Sequence, residues 1–279
     1  MVHSDIFFNL TDFEHKGLFS DTEYVWESLK KLKSYIQSHL SPNVGDRKGE
    51  PLLKTCILWN GEVITEGDIT IHSGDATKGE VRVFREGLEL SGASVIYAGA
   101  TLFDSDVYIG ENTVIEPGAL IKGPTIIGNH SEVRQGAYIR GNCIIGNRCV
   151  VGHTTEVKSA VLLNDAKAGH FAYIGDSILG NSVNLGAGTK LANLKILDVE
   201  MRLKVEGRVY KTGLRKLGAI LGDKVETGCN SVTSPGTLLG KQSLVYPCVN
   251  VPGGYYPDRS IIGFRTKNVI SIRTLRSPS

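Results

Sequence analysis

From Ile109 onward an aliphatic residue recurs every six positions: Ile109, Ile115, Ile121, Ile127, Val133, Ile139, Ile145, Val151, Val157 and Leu163. In a chain that is 41% apolar, ten consecutive matches would arise by chance on the order of once in ten thousand frames. A second column runs four residues behind the first, at Thr113, Ala119, Thr125, Ser131, Ala137, Cys143, Cys149, Thr155 and Val161. None of these is larger than valine, and Gly or Asn recurs between the columns. One large and one small inward residue per hexad predicts a parallel β-helix, in which each hexad is a short strand plus a turn and three hexads make one triangular coil. The frame slips by one residue twice, resuming at Ala168 and Ile174, then at Leu179, Leu185 and Leu191. It returns at Leu221, Thr227, Thr233, Leu239 and Val245.

The pattern upstream is different. Val25, Leu29, Leu32, Ile36 and Leu40 lie at 3- and 4-residue steps and predict a helix over residues 21–40, with Asp21 or Ser20 as its cap. The polar stretch 41–49 reads as a linker, and alternating segments such as VITEGDITIH then suggest β structure. The predicted organisation is a helix plus a small β-rich cap or docking region at 1–90, the β-helix at 91–265, and a C-terminal tail at 266–279. Residues 192–219 interrupt the hexads with seven Lys or Arg against three Asp or Glu. MRLKV, a turn at Glu206 and Gly207, and RVYK alternate there as a two-stranded arm projecting from the coil.

Composition adds bounds rather than a ligand. The chain has 279 residues and a formal charge of +2, which argues against a nucleic-acid or membrane-surface partner. No apolar run is long enough to span a membrane and the N-terminal residues lack a signal-peptide pattern, which together predict a cytoplasmic protein. Five cysteines without CxxC or Cys/His spacing read as free thiols used as small apolar residues rather than disulfides or a zinc site. Glycine is in excess at 33 residues, as a chain with many tight turns requires.

Candidate chemistry concentrates between Glu156 and Thr189. The segments EVK (156–158), KAGHFAYIGD (167–176) and NSVNLGAGT (181–189) resemble the acetyltransferase domain of bacterial N-acetylglucosamine-1-phosphate uridyltransferases, a left-handed β-helix that assembles as a trimer. The resemblance covers roughly residues 95–265, and the hand of the helix comes from it alone. It implies acetyl-CoA-dependent N-acetylation of an amino-sugar phosphate, with no metal, by a homotrimer. His170 takes the place of the general base; an imidazole with an ordinary pKa near ~6.5 is largely neutral at cytoplasmic pH and can accept a proton. Arg140 and Lys158 match phosphate-binding positions, Tyr173 and Asn184 match positions that hydrogen-bond the sugar, Asn193 matches the residue that holds the acetyl group, and the backbone at Ala187 matches a CoA contact.

Spacing supplies two observations of its own. Arg140 and Lys158 are 18 residues apart in an unbroken frame and should stack. His153 and His170 are 17 apart across a one-residue slip and should stack too, with no third histidine in register to complete a metal site. The chain also departs from the family. No glycine-rich nucleotidyltransferase loop is present, and the first 90 residues are too few for that domain. The basic insertion replaces a short turn that carries a CoA-binding lysine, leaving Lys211 and Arg215 as candidates for that role. Cys229 stands where serine is common and Pro247 where a small residue is. Two alternatives therefore stay open: a non-catalytic sugar-phosphate or sugar-nucleotide binding trimer, and a subunit that partners a separate nucleotidyltransferase.

Overall fold

The structure, a computed structural model, describes residues 2–47, 49–197 and 200–264; the tail at 266–279 lies outside them. The protein is mainly β, a parallel β-helix with three faces. Face one carries nine coil strands, from Ser94–Ile96 to Ile261–Ile262, and faces two and three carry eight each. The inward aliphatics and the small corner residues form one continuous core running from Ile96 and Leu102 to Val249 and Val251.

Register explains both the hexad period and its slips. Ile121, Ile139 and Val157 stack at steps of 18 on face two, whereas Val157 to Ile174 is a step of 17. On face three the inward residue opposite Ile145 is Leu162, with Ala160 at the corner. Leu163 and Val161, which the six-residue count assigned to the two inward columns, instead pack outside the prism. The missing residue is lost at the corner where Ser159 adopts a left-handed conformation, φ 46°.

Face three is apolar on its outer side as well, at Ile126, Ile144, Val161, Ile178, Ile220 and Leu238. A sheet apolar on both faces must be covered, and residues 2–40 cover it with Phe7, Phe8, Phe13, Leu18, Trp26, Leu32 and Ile36. Each large side chain buried there contributes about 1.5–3 kcal/mol. The helix is shorter than its periodicity predicts, Glu27–His39. Neither Asp21 nor Ser20 caps it; the Glu27 carboxylate instead accepts from the backbone N–H groups of Glu23 (2.8 Å) and Tyr24 (3.1 Å).

The insertion forms the expected hairpin, Arg202–Val205 paired with Arg208–Lys211 around left-handed Glu206 and Gly207. It does not project. Met201, Leu203 and Val205 are buried in the same outer cluster of face three, and Tyr210 packs against Tyr24 and Trp26. The alternation in MRLKV therefore marks one apolar side folded back on the coil.

The first coil presents three open strand edges, and Asn43, Leu52 and Cys56–Trp59 cover all of them, which removes a template for unwanted pairing. Cys56–Trp59 pairs antiparallel with Ser94–Ile96 on face one. Leu52 N–H donates to Ala100 O on face two (2.8 Å). On face three the Asn43 side chain acts as a strand edge, donating to Ile109 O (2.7 Å) and accepting from Ile109 N–H (3.0 Å). A three-stranded antiparallel sheet spanning Ile69–His72, Arg82–Arg85 and Leu88–Glu89 packs over the outside of face one, around Val95 and Val114.

Candidate active site

The corner between faces one and two is built by repetition. His153 and His170 are direct partners in adjacent parallel strands, Val150–His153 and Lys167–His170. Continuing the register of face one aligns Gln135, His153, His170, Ala187, Cys229 and Pro247 in one column, coil upon coil. The residue after each is left-handed, including Gly136 (φ 71°), Phe171 (53°), Gly188 (76°), Asn230 (56°) and Cys248 (61°). That conformation turns the chain and aims each N–H at the coil before it. Phe171 N–H donates to His153 O (2.9 Å), Gly188 to His170 O (3.0 Å), Asn230 to Ala187 O (2.8 Å) and Cys248 to Cys229 O (2.9 Å). Four residues that the sequence singled out separately, His170, Ala187, Cys229 and Pro247, thus share one edge of the prism.

The two imidazoles differ in their surroundings. His153 Nδ1 lies 2.9 Å from Gln135 O, which fixes the ring, and its ring meets Phe171 edge-on at 5.4 Å. His170 is exposed, and its ring centroid lies 6.3 Å from that of Phe171, itself 55% exposed. Among the described residues no group of three metal-ligating side chains is present.

Face two, immediately after this corner, carries the charged cluster. Extending the register of Tyr138–Arg140 with Glu156–Lys158 sets Arg140 beside Lys158, as the 18-residue spacing predicts. Arg140 is half-exposed and its Nη1 donates to Glu156 Oε1 at 2.7 Å, an interaction that raises its pKa. Its guanidinium also lies 5.7 Å from the Tyr138 ring. Tyr173 stacks directly on Glu156. Burial, then the charges of Glu156 and Asp176, hold its phenol pKa above the ordinary value.

Asn193 lies at the far edge of face two, 9% exposed, with its Nδ2 donating to Asp176 Oδ2 at 2.5 Å and hydrogen-bonded to Tyr173. Gly175 keeps this arrangement possible, since a Cβ there would lie 2.6 Å from the Tyr173 hydroxyl and 2.7 Å from Asn193 Nδ2. Three residues of this cluster, Glu156, Asp176 and Tyr138, were missed as candidates by sequence reasoning. The stacking count that paired Arg140 with Lys158 would have found Asp176, 17 residues before Asn193.

Other sequence candidates stay apart within one chain. Asn184 is exposed on face one between Lys167 and Glu226, not beside Tyr173 on face two. His170 and Asn193 occupy opposite edges of face two. Lys211 lies on the hairpin covering face three, and the exposed Arg215 follows it, both away from the Ala187, Cys229 and Pro247 edge.

A family model described as the GMPPB C-terminal domain matches residues 121–244. A bifunctional sugar-1-phosphate nucleotidylyltransferase/acetyltransferase of Sulfurisphaera tokodaii is 40% identical over 107 residues, 38% of this chain and 27% of that protein. The bifunctional protein GlmU of Methanococcus maripaludis is 45% identical over 148 residues, 51% of this chain and 36% of that protein. This chain thus spans about a quarter to a third of the bifunctional relatives it matches. An uncharacterized acetyltransferase of Escherichia coli, YaiX, is 35% identical over 158 residues, 55% of this chain and 69% of that protein. Among solved structures, the UDP-N-acetylglucosamine acyltransferase of Francisella novicida shares 16% identity over 57% of this chain and 60% of its own, with a TM-score of 0.25.

Proposed function

This chain belongs to the acetyltransferase family of its Escherichia coli relative YaiX, and from that premise we propose that it transfers an acetyl group from acetyl-CoA to the amine of an amino-sugar phosphate. His170 takes the proton from the attacking amine, the amine nitrogen bonds to the thioester carbonyl carbon, the carbon–sulfur bond breaks, and the departing sulfur picks up a proton from solvent so that CoA leaves as the thiol. No acyl-enzyme forms. The observation that carries the reading is the exposed His170 on its column, next to a face bearing Arg140, Lys158 and Tyr173. An exposed imidazole can receive a proton and return it to solvent. Arg140 and Lys158 hold the acceptor's phosphate, Tyr173 lies beside the sugar, and the Ala187, Cys229 and Pro247 edge runs alongside CoA.

The separation of His170 from Asn193, and of Tyr173 from Asn184, supports sites shared between subunits of a homotrimer. Leu194, Ile196 and Leu197, exposed beside Asn193, are the apolar surface a neighbouring copy would cover. Thiol release from acetyl-CoA with amino-sugar phosphates, glucosamine 1-phosphate and a UDP-linked amino sugar among them, tests the proposal. Arg140→Ala and Lys158→Ala should each raise KM for the sugar phosphate about tenfold or more, the scale of one lost charge-assisted contact. Release that is independent of the sugar phosphate, or no release with any amino-sugar phosphate, would overturn it.

A further inference from the structure

The cationic column of face two does not end at Arg140. Lys122 is the register partner of Arg140 one coil earlier, so Lys122, Arg140 and Lys158 stand on three successive rungs about 4.8 Å apart. Like charges so spaced repel unless an anion lies between them. Glu156 neutralises only Arg140. Among the described residues no carboxylate forms an ion pair with Lys122 or Lys158, and the nearby Asp104 is engaged by the Gly123 N–H at 2.9 Å.

Aromatic rings interleave with the cations. The Lys122 ammonium sits 4.3 Å from the Phe103 ring centroid and 6.0 Å from that of Tyr138. Phe103 occupies the rung before Lys122, since its N–H donates to Ile121 O (2.8 Å), and it is 45% exposed. Travelling along face two away from Tyr173, a ligand therefore meets Lys158 and Arg140, then Lys122, then an aromatic ring.

We propose that the acceptor is an amino sugar carried on a nucleoside diphosphate rather than on a single phosphate, a proposal that rests on Arg140 and Lys158 being the phosphate site. The first phosphate lies at Arg140 and Lys158, the second at Lys122, and the nucleobase against Phe103. Lys122 leaves the Phe103 ring to meet the second phosphate, which frees aromatic surface for the base. Stacking on a ring tolerates any base, so the column selects for the diphosphate and not for one nucleotide.

Calorimetric titration of the full chain with UDP, GDP, UMP and inorganic pyrophosphate tests this without requiring turnover. UDP and GDP should both bind about tenfold more tightly than UMP. Arg140→Ala should weaken UDP about tenfold and UMP less than threefold, because the single phosphate of UMP is the one beside the nucleoside, at Lys122; Lys122→Ala should weaken both, while Phe103→Ala should weaken UDP and UMP but not pyrophosphate. UDP binding no tighter than UMP, or Lys122→Ala leaving UDP and UMP unaffected, would overturn the proposal. Arg140→Ala without effect on UDP would overturn the phosphate site beneath it. Failure of thiol release alone would count against the acetyltransferase reading and leave the binding result standing. Unchanged circular dichroism of each variant excludes misfolding as the cause.

Discussion

Gly152 and Gly169 face each other across adjacent coils, one residue before the two histidines, yet they should respond oppositely to the same substitution. Neither has a left-handed backbone, so alanine is permitted at both by conformation alone. A Cβ on Gly152 would lie 1.8 Å from Gly169 O, 2.2 Å from its carbonyl carbon and 2.5 Å from its Cα, whereas a Cβ on Gly169 meets nothing within 4 Å. Relieving the clash requires the two coils to part by about 1.5 Å, given ordinary carbon contacts near 3.5 Å. Overpacking of this kind costs about 1–3 kcal/mol. The adjoining bonds, Val150 N–H to Ala166 O (3.0 Å) and Phe171 N–H to His153 O (2.9 Å), would each forfeit about 1 kcal/mol. Gly152→Ala should therefore destabilise by about 3–5 kcal/mol and displace His153 from His170, while Gly169→Ala should change stability by less than about 1 kcal/mol. Urea denaturation followed by circular dichroism at one fixed protein concentration measures both. Equal midpoints for the two variants, or a neutral Gly152→Ala, would refute the stacking geometry on which the site is built.

Three further outcomes are expected. Burial pushes the Cys143 and Cys149 thiols up to about 12, and Cys56 is buried as well, so a thiol reagent at pH 8 should label only Cys229 and Cys248 quickly in the native protein. Acetyl-CoA should slow labelling of Cys229; full, rapid labelling of all five would contradict the core. Glu156→Gln should lower KM for an anionic acceptor several-fold by releasing Arg140, and a raised KM would show that the ion pair positions the arginine instead. Hydrogen bonds from Thr77 and Lys78 hold the Asp75 carboxyl down at about 2, below its ordinary 3.8. Its carboxylate therefore stabilises the native state above about pH 4, and that contribution fades as pH falls toward 2. The Tm gap between the natural protein and Asp75→Asn should narrow over that window, and a constant gap would contradict the assignment.

The coil was legible because its inward residues repeat in the sequence itself, and stacking follows from counting. The same count placed His153 beside His170 and Arg140 beside Lys158. It failed at Leu163, since nothing in the side chains of residues 157–162 marks a corner that uses one residue fewer; the left-handed turn at Ser159 is a backbone event. Residues 2–40 resisted reading for a different reason. Phe7, Phe8, Phe13 and Phe19 have no period, and their role comes from the apolar outer column of face three, Ile126, Ile144, Val161 and Ile178, which the inward pattern concealed. The basic hairpin was misjudged because its charges lie on one side while Met201, Leu203 and Val205 bury the other. Glu156, Asp176 and Lys122 were recoverable by the stacking arithmetic, and charge balance along each column is what makes them matter.

The claim that His170 is the base admits a direct measurement. Pre-steady-state thiol release from acetyl-CoA, at saturating amino-sugar phosphate, should slow by about 100-fold or more in His170→Ala relative to the natural protein. His153→Ala, which removes a neighbour held by Gln135 O, should slow it far less. A His170→Ala variant that folds, assembles and releases thiol at the natural rate would contradict the account.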